Sequence, residues 1–198
     1  MPDKKTLLYD AFLGLVRQGG NPADITVGAI AARAGIGKGT VYDYFPAKEA
    51  LFSYSLSRYA HELVDGLRAS CTEGDFRTRF YVMLGFAAEQ FDKNQMLFQL
   101  CFLSDAPLLP CGPYRQELCE NLERAKTGFL AALSTLCEQG RLEGVLGGPL
   151  TPADLCFAFF SVTGALGMYL FAKQDDPFFP TLESLEDFCY DKFVKLLR

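Results

Sequence analysis

The chain contains no tryptophan and only one histidine, His61, in 198 residues. With no second histidine or cysteine at ligand spacing, His61 gives no metal site, and a His-dependent catalytic centre has no partner from which to be built. The seven cysteines are an odd set without a C-x-x-C pair, which argues against a disulfide framework and a zinc cage and favours reduced thiols. No nucleophile–base pair and no phosphate-cradling glycine loop can be assembled, so neither catalytic residues nor a cofactor are expected and an enzyme is disfavoured. Alternating β-branched runs are scarce as well, which removes the main signal for strands. The first nine residues lack the basic start, apolar run and cleavage site of a secretory signal, and a cytoplasmic protein is expected.

What is present is helical periodicity. Apolar residues recur three and four apart in almost every segment, so the fold class is all-α, with about nine helices. Leu8, Phe12, Leu15 and Val16 stripe a first helix that stops at Gly19-Gly20. Thr26 stands as an N-cap, with Ile25 and Ile30 spaced as a hydrophobic staple, and a short second helix ends before Gly35. A third follows, and Pro46 marks the start of a long fourth striped by Phe52, Leu56, Tyr59, Leu63 and Leu67. Phe76 to Phe91 make the next helix, then a shorter one runs through Leu97 and Leu100. Leu118 to Leu136 stripe a long helix, Thr151-Pro152-Ala153-Asp154 reads as cap and first turn of another reaching about Ala172, and the last begins at Thr181.

The formal charge of −5 speaks against a nucleic-acid partner until its distribution is considered. Residues 1–52 carry six Lys/Arg against five Asp/Glu, so the acidity lies in the remainder of the chain. A near-neutral head on an acidic body suits a protein that touches DNA with one end. Within that head, Ile30, Ala34, Ile36, Val41 and Tyr44 fall where two short helices crossing steeply need apolar contacts. Gly35 occupies the tight turn between them. The helix opening near Lys38 has a small, polar first turn suited to a major groove, with Lys38, Thr40, Val41 and Asp43 expected to face bases. Thr26, Tyr42, Tyr44 and Lys48 are of the types that hold phosphates, and Gly39 keeps the first turn slim.

The run A-G-I-G-K-G-T-V-Y-D-Y-F, with K-E-A-L downstream, resembles the TetR family signature, including the Gly-Thr-x-Tyr core at Gly39 to Tyr42 and the closing Phe45. The resemblance implies a helix-turn-helix at Thr26 to Phe45 in a three-helix DNA-binding head. It also implies a larger C-terminal helical bundle for ligand binding and dimerisation, with the last two long helices forming a four-helix bundle between protomers. The expected domains are 1–50 and 51–198. The expected function is a ligand-responsive regulator, a repressor, holding double-stranded operator DNA as a homodimer. Asp43 departs from the usual neutral or basic residue there; near phosphate it needs a cytosine amino group, Lys38 or Arg33 as partner.

The body is rich in aromatic residues, and Phe91, Phe98, Phe102, Phe129, Phe157 and Phe160 are candidate walls of a pocket for a small hydrophobic or amphipathic effector; Tyr169 sits on the same helices. The alternative is control by a partner protein or by thiol chemistry at Cys101, Cys111 and Cys119, near Arg115 and Arg124. Leu155 to Ala172 is an uncharged run of 18 residues, at the lower edge of a membrane span. Its Asp154 and Lys173 flanks and internal Ser161, Thr163, Gly164 and Gly167 favour burial in a dimer core, with no membrane partner.

Overall fold

A computed structural model describes residues 3–70, 72–102, 112–171 and 181–198, and every regular element in them is helical. In order these are α1 (Lys4–Arg17), α2 (Val27–Ala34), α3 (Lys38–Tyr44), α4 (Lys48–Ser70), α5 (Phe76–Phe102), α6 (Pro113–Leu142), α7 (Pro152–Phe171) and α8 (Leu182–Leu196). Non-helical angles at Asn94 (φ −144°, ψ 36°) break α5 into two arms, giving nine helical rods among the described residues. The expected all-α class and its helix-turn-helix head are the ones observed.

The predicted punctuation acts through specific hydrogen bonds. Gly19 adopts φ 87° past the end of α1, and the Gly20 N–H reaches back to the Leu15 carbonyl. Thr26 Oγ1 accepts from the Ala29 N–H at 3.2 Å, satisfying one of the open donors of α2. Thr151 and Asp154 cap α7 reciprocally. The Thr151 N–H donates to the Asp154 carboxylate at 2.8 Å, and the Asp154 N–H donates to Thr151 Oγ1 at 3.2 Å. The bonds from Thr151 hold the Asp154 carboxyl below its ordinary range. Thr181 caps α8 in the same manner, accepting from the Ser184 N–H.

Contacts group the chain into two units, Met1–Glu62 with Lys93–Lys126, and Leu63–Asp92 with Thr127–Arg198. In unit 1, Leu8, Phe12 and Val16 of α1 are buried together with Ile30 of α2, Val41 of α3 and Leu51, Phe52 and Leu56 of α4. The Phe12 and Phe52 rings meet edge to face at 5.8 Å between centroids. In unit 2, Phe76, Phe80 and Phe193 form one aromatic cluster, while Phe129 and Phe159 stack edge to face at 4.7 Å. α7 and α8 pack against each other, with the Cys189 thiol on the Val162 carbonyl.

Helices α4, α5 and α6 each contribute residues to both units, so the contact grouping is not a cut at one point in the sequence. The break in α5 falls beside the change of unit between Asp92 and Lys93.

Candidate DNA-binding site

α2 and α3 are joined by Gly35, which takes φ 68° and ψ 30°, a left-handed conformation that a residue with Cβ adopts only under strain. Its N–H donates to the Ala32 carbonyl, and the Ile36 N–H reaches the Ala31 carbonyl at 3.1 Å. These bonds close α2 and turn the chain directly into α3, whose cap Gly37 has no side chain to block the approach of a groove. The second helix of the pair is anchored by Val41, 1% exposed, and by the buried Phe45 that follows it.

Anchoring decides which residues of α3 remain available. Lys38, Gly39, Tyr42, Asp43 and Tyr44 are exposed and Thr40 is half-buried, forming a polar face on a helix of seven residues. Val41 was expected on that face and is instead sealed in the core of unit 1. A side chain with almost no accessible surface cannot reach a base edge, so Val41 anchors α3 and is not available for base contact. Asp43 forms no ion pair among the described residues, and Arg33 is engaged elsewhere, donating to Gln18 Oε1 at 3.0 Å. Of the partners expected for Asp43, Arg33 is directed instead to the C-terminal end of α1.

The residues assigned to phosphate divide similarly. Tyr42 is the most open of them, at 46% exposure. Tyr44 is open over part of its ring and lines, with Lys5, Phe45 and Tyr54, a hollow of about 260 Å³ in unit 1. Thr26 is exposed while its hydroxyl oxygen serves the α2 cap. Lys48 donates from Nζ to the Ala23 carbonyl, tying the start of α4 to the loop before α2. An ammonium has three donors, so this bond orients Lys48 without using it up.

A second set of residues, absent from the sequence reading, braces this head. The Tyr9 hydroxyl donates to Glu62, and Arg58 donates to Glu62 at 2.9 Å and to Thr6 at 3.0 Å, while its guanidinium lies 4.3 Å from the Tyr9 ring centre. Burial first, and then the bond to Glu62, push the Tyr9 hydroxyl pKa well up. Asn94, 2% exposed at the break in α5, accepts from Arg17 Nε at 3.0 Å and is hydrogen-bonded to Tyr59. The Asp-Lys-Asn run signals a helix interruption, but nothing in the sequence pairs Asn94 with Arg17, 77 positions away.

Among the candidate effector residues, those described in unit 2 differ in exposure and in what they pack against. Phe129 packs on Phe159, which also meets Phe160 at 5.6 Å. Phe91 lies against α7 at Gly167, where a Cβ would come within 2.9 Å of its ring. Phe98 belongs to unit 1 and the others described belong to unit 2; the Phe102 side chain lies outside the described residues. Phe157 is 76% exposed and Phe160 42%, so both have surface facing away from the unit 2 core. Of the three thiols considered reactive, Cys111 lies outside the described residues, Cys119 is half-buried, and burial pushes the Cys101 thiol pKa far up. Among the described residues no group of three or more His, Cys, Asp or Glu is arranged to hold a metal ion.

Residues 20–54 match the profile of the bacterial regulatory proteins of the tetR family. No curated protein matches the chain. Several solved structures share its fold over nearly their whole length. A TetR family protein from Vibrio parahaemolyticus is 18% identical, with 98% of each chain covered and a TM-score of 0.73. Reduced NemR from E. coli is 19% identical over 99% of this chain and 98% of that one, at 0.71. The regulator FadR from Bacillus subtilis, solved with stearoyl-CoA, is 15% identical over 97% of each chain, at 0.65. Residues 20–54 therefore form a head of the tetR family of bacterial regulatory proteins, on a chain whose fold is that of TetR family proteins.

Proposed function

We propose that this protein is a transcriptional repressor that holds operator DNA as a homodimer and is released by a small hydrophobic or amphipathic effector. The observation that carries the reading is the α2–Gly35–α3 unit, with Lys38, Thr40, Tyr42 and Asp43 on an open polar face and Val41 buried behind it. Lys38 and Thr40 are assigned to base edges, Asp43 to a cytosine amino group, and Thr26, Tyr42, Tyr44 and Lys48 to phosphates. DNA binding implies a cytoplasmic protein, and no catalysis is invoked.

The dimer face is assigned to α7 and α8. Phe157, Phe160, Ser161, Gly164 and Met168 recur at helical spacing on exposed positions of α7, and Phe188 is exposed on α8. An 18-residue window of α7 is apolar enough for a membrane, yet only 39% of it is buried within the chain. A twofold partner covers such a face without lipid. The two heads then meet half-sites about one helical turn, roughly 34 Å, apart.

Unit 2 is assigned to the effector, a reading supported by the bound stearoyl-CoA of the B. subtilis regulator with the same fold. Helix α4 contributes to both units, and we assign it the coupling between effector and head. Control by thiols has less support, because Cys101, Cys137 and Cys189 are buried and their pKa values are pushed up by desolvation. Selection from random duplexes tests the core of the proposal. A palindromic site should emerge, and Lys38→Ala should change its preferred bases. With that site in hand, an effector that lowers operator affinity roughly 5- to 150-fold must itself bind more weakly by the same factor when operator is present. Selection without an enriched site, or effector affinity indifferent to operator, refutes the corresponding half.

A further inference from the structure

Unit 2 carries fourteen Asp and Glu against eight Lys and Arg, so a cavity there lined by two arginines and no carboxylate runs against the local charge. Such a cavity of about 350 Å³ lies where the end of α4, the start of α5 and the middle of α6 meet, with Arg68 and Arg79 on its walls. Ala131, Ala132 and Leu136 supply an apolar floor from α6. The volume is in the range of small-molecule sites.

Each guanidinium lies beside a glycine. A Cβ at Gly128 would stand 3.1 Å from Arg68 Nη2, so the absence of a side chain there lets the guanidinium lie close to α6. Among the described residues Arg68 pairs with Asp65, at a long 3.7 Å and with both side chains open to solvent. Arg79 donates from Nε to the Gly74 carbonyl at 2.8 Å, and Gly74 holds that carbonyl in place at φ 91°. A donor bound at Nε fixes the plane of the guanidinium, and a planar fork matches a carboxylate or phosphate better than a point charge does.

We infer that this α4–α5–α6 cavity is an anion-binding site, taking the carboxylate or phosphate of a small amphipathic molecule whose apolar part lies along Ala131 and Leu136. The inference deepens the assignment of unit 2 to an effector and rests on it, but its test needs no DNA. Failure here leaves the operator selection standing, and failure of the operator selection leaves this binding measurable.

The test is calorimetry on the full chain with sodium octanoate, inorganic pyrophosphate and 1-octanol. Either anion should bind one per chain: octanoate alone identifies a carboxylate, pyrophosphate alone a phosphate, and octanol should bind at least about tenfold more weakly than the anion that does. Arg79→Gln should weaken that anion about tenfold. Ala131 is exposed on a helix, so charge placed there leaves folding intact. Ala131→Glu should abolish anion binding, and Ala131→Lys should preserve or tighten it. Absence of binding by both anions at millimolar concentration, or affinity unchanged in Ala131→Glu, overturns the inference. Loss of affinity for random duplex DNA in Ala131→Glu also overturns it, since the cavity would then be a nucleic-acid contact.

Discussion

Replacing Phe157 by Asp is the most direct probe of the assigned dimer face. Phe157 is 76% exposed on α7, which for a side chain of about 200 Å² leaves about 150 Å² for a partner to cover. At about 25 cal/mol per Å² that is about 4 kcal/mol per copy, and about 7–8 kcal/mol per dimer, because a twofold axis counts each residue twice. Association also costs rotational, translational and side-chain freedom, so the figure is an upper bound. Even half of it corresponds to roughly a thousandfold in the dissociation constant, before the desolvation of two new carboxylates is added. Leu142→Asp is the control, since Leu142 is equally exposed at 76% but sits at the end of α6. Sedimentation equilibrium from nanomolar to 100 micromolar should give a dimer for the parent and for Leu142→Asp, and a monomer with weakened operator binding for Phe157→Asp. Equal association of parent and Phe157→Asp, or equal loss in both variants, refutes the assignment of this face.

Within the head, Lys48→Ala and Tyr42→Phe should weaken binding to all duplexes alike. The lysine change should flatten the salt dependence by about 0.9 log unit per phosphate lost, while Lys38→Ala or Thr40→Ala should shift base preference; a Lys48→Ala variant with altered preference and unchanged salt slope contradicts this division. Val41→Ala should cost roughly 2 kcal/mol of stability and leave base preference intact, as read from urea melts and repeated site selection. Asn94→Ala removes the hydrogen bonds to Arg17 and Tyr59, with an expected loss of about 2–4 kcal/mol in the same melts, and a loss below 0.5 kcal/mol would deny the brace any role. Burial pushes the Cys137 thiol up to about 12 and the Cys189 thiol to about 11, and raises the Tyr9 and Tyr59 hydroxyls as well. Their folded-state pKa values lie above the unfolded ones, so their contribution is complete below about pH 8 and is lost as pH rises. Urea midpoints should hold from pH 6 to 8 and fall steadily from pH 9 to 10.5; constancy across that upper range would contradict the burial.

The sequence by itself determined the helices and their ends, because those depend on interactions a few residues apart. Thr26, Gly35, Thr151 and Thr181 act on their own turns, and their conformations follow from local chemistry. The glycine between two short helices and the spacing of Ile30, Ala34, Ile36, Val41 and Tyr44 likewise pointed to a tight helical pair, and the resemblance of the Gly39 to Phe45 run to the TetR signature made that pair legible as a DNA-binding head. What the tertiary structure alone decided is which face of each short helix is sealed. On seven residues every side chain lies near every other along the chain, and only the core of unit 1 buries Val41 while leaving Tyr42 open. The same holds for Asn94 with Arg17, for the guanidinium of Arg68 beside Gly128, and for the distribution of phenylalanines between a closed core and an exposed face of α7. These pairings join residues tens of positions apart, and periodicity carries no information about partners at that distance.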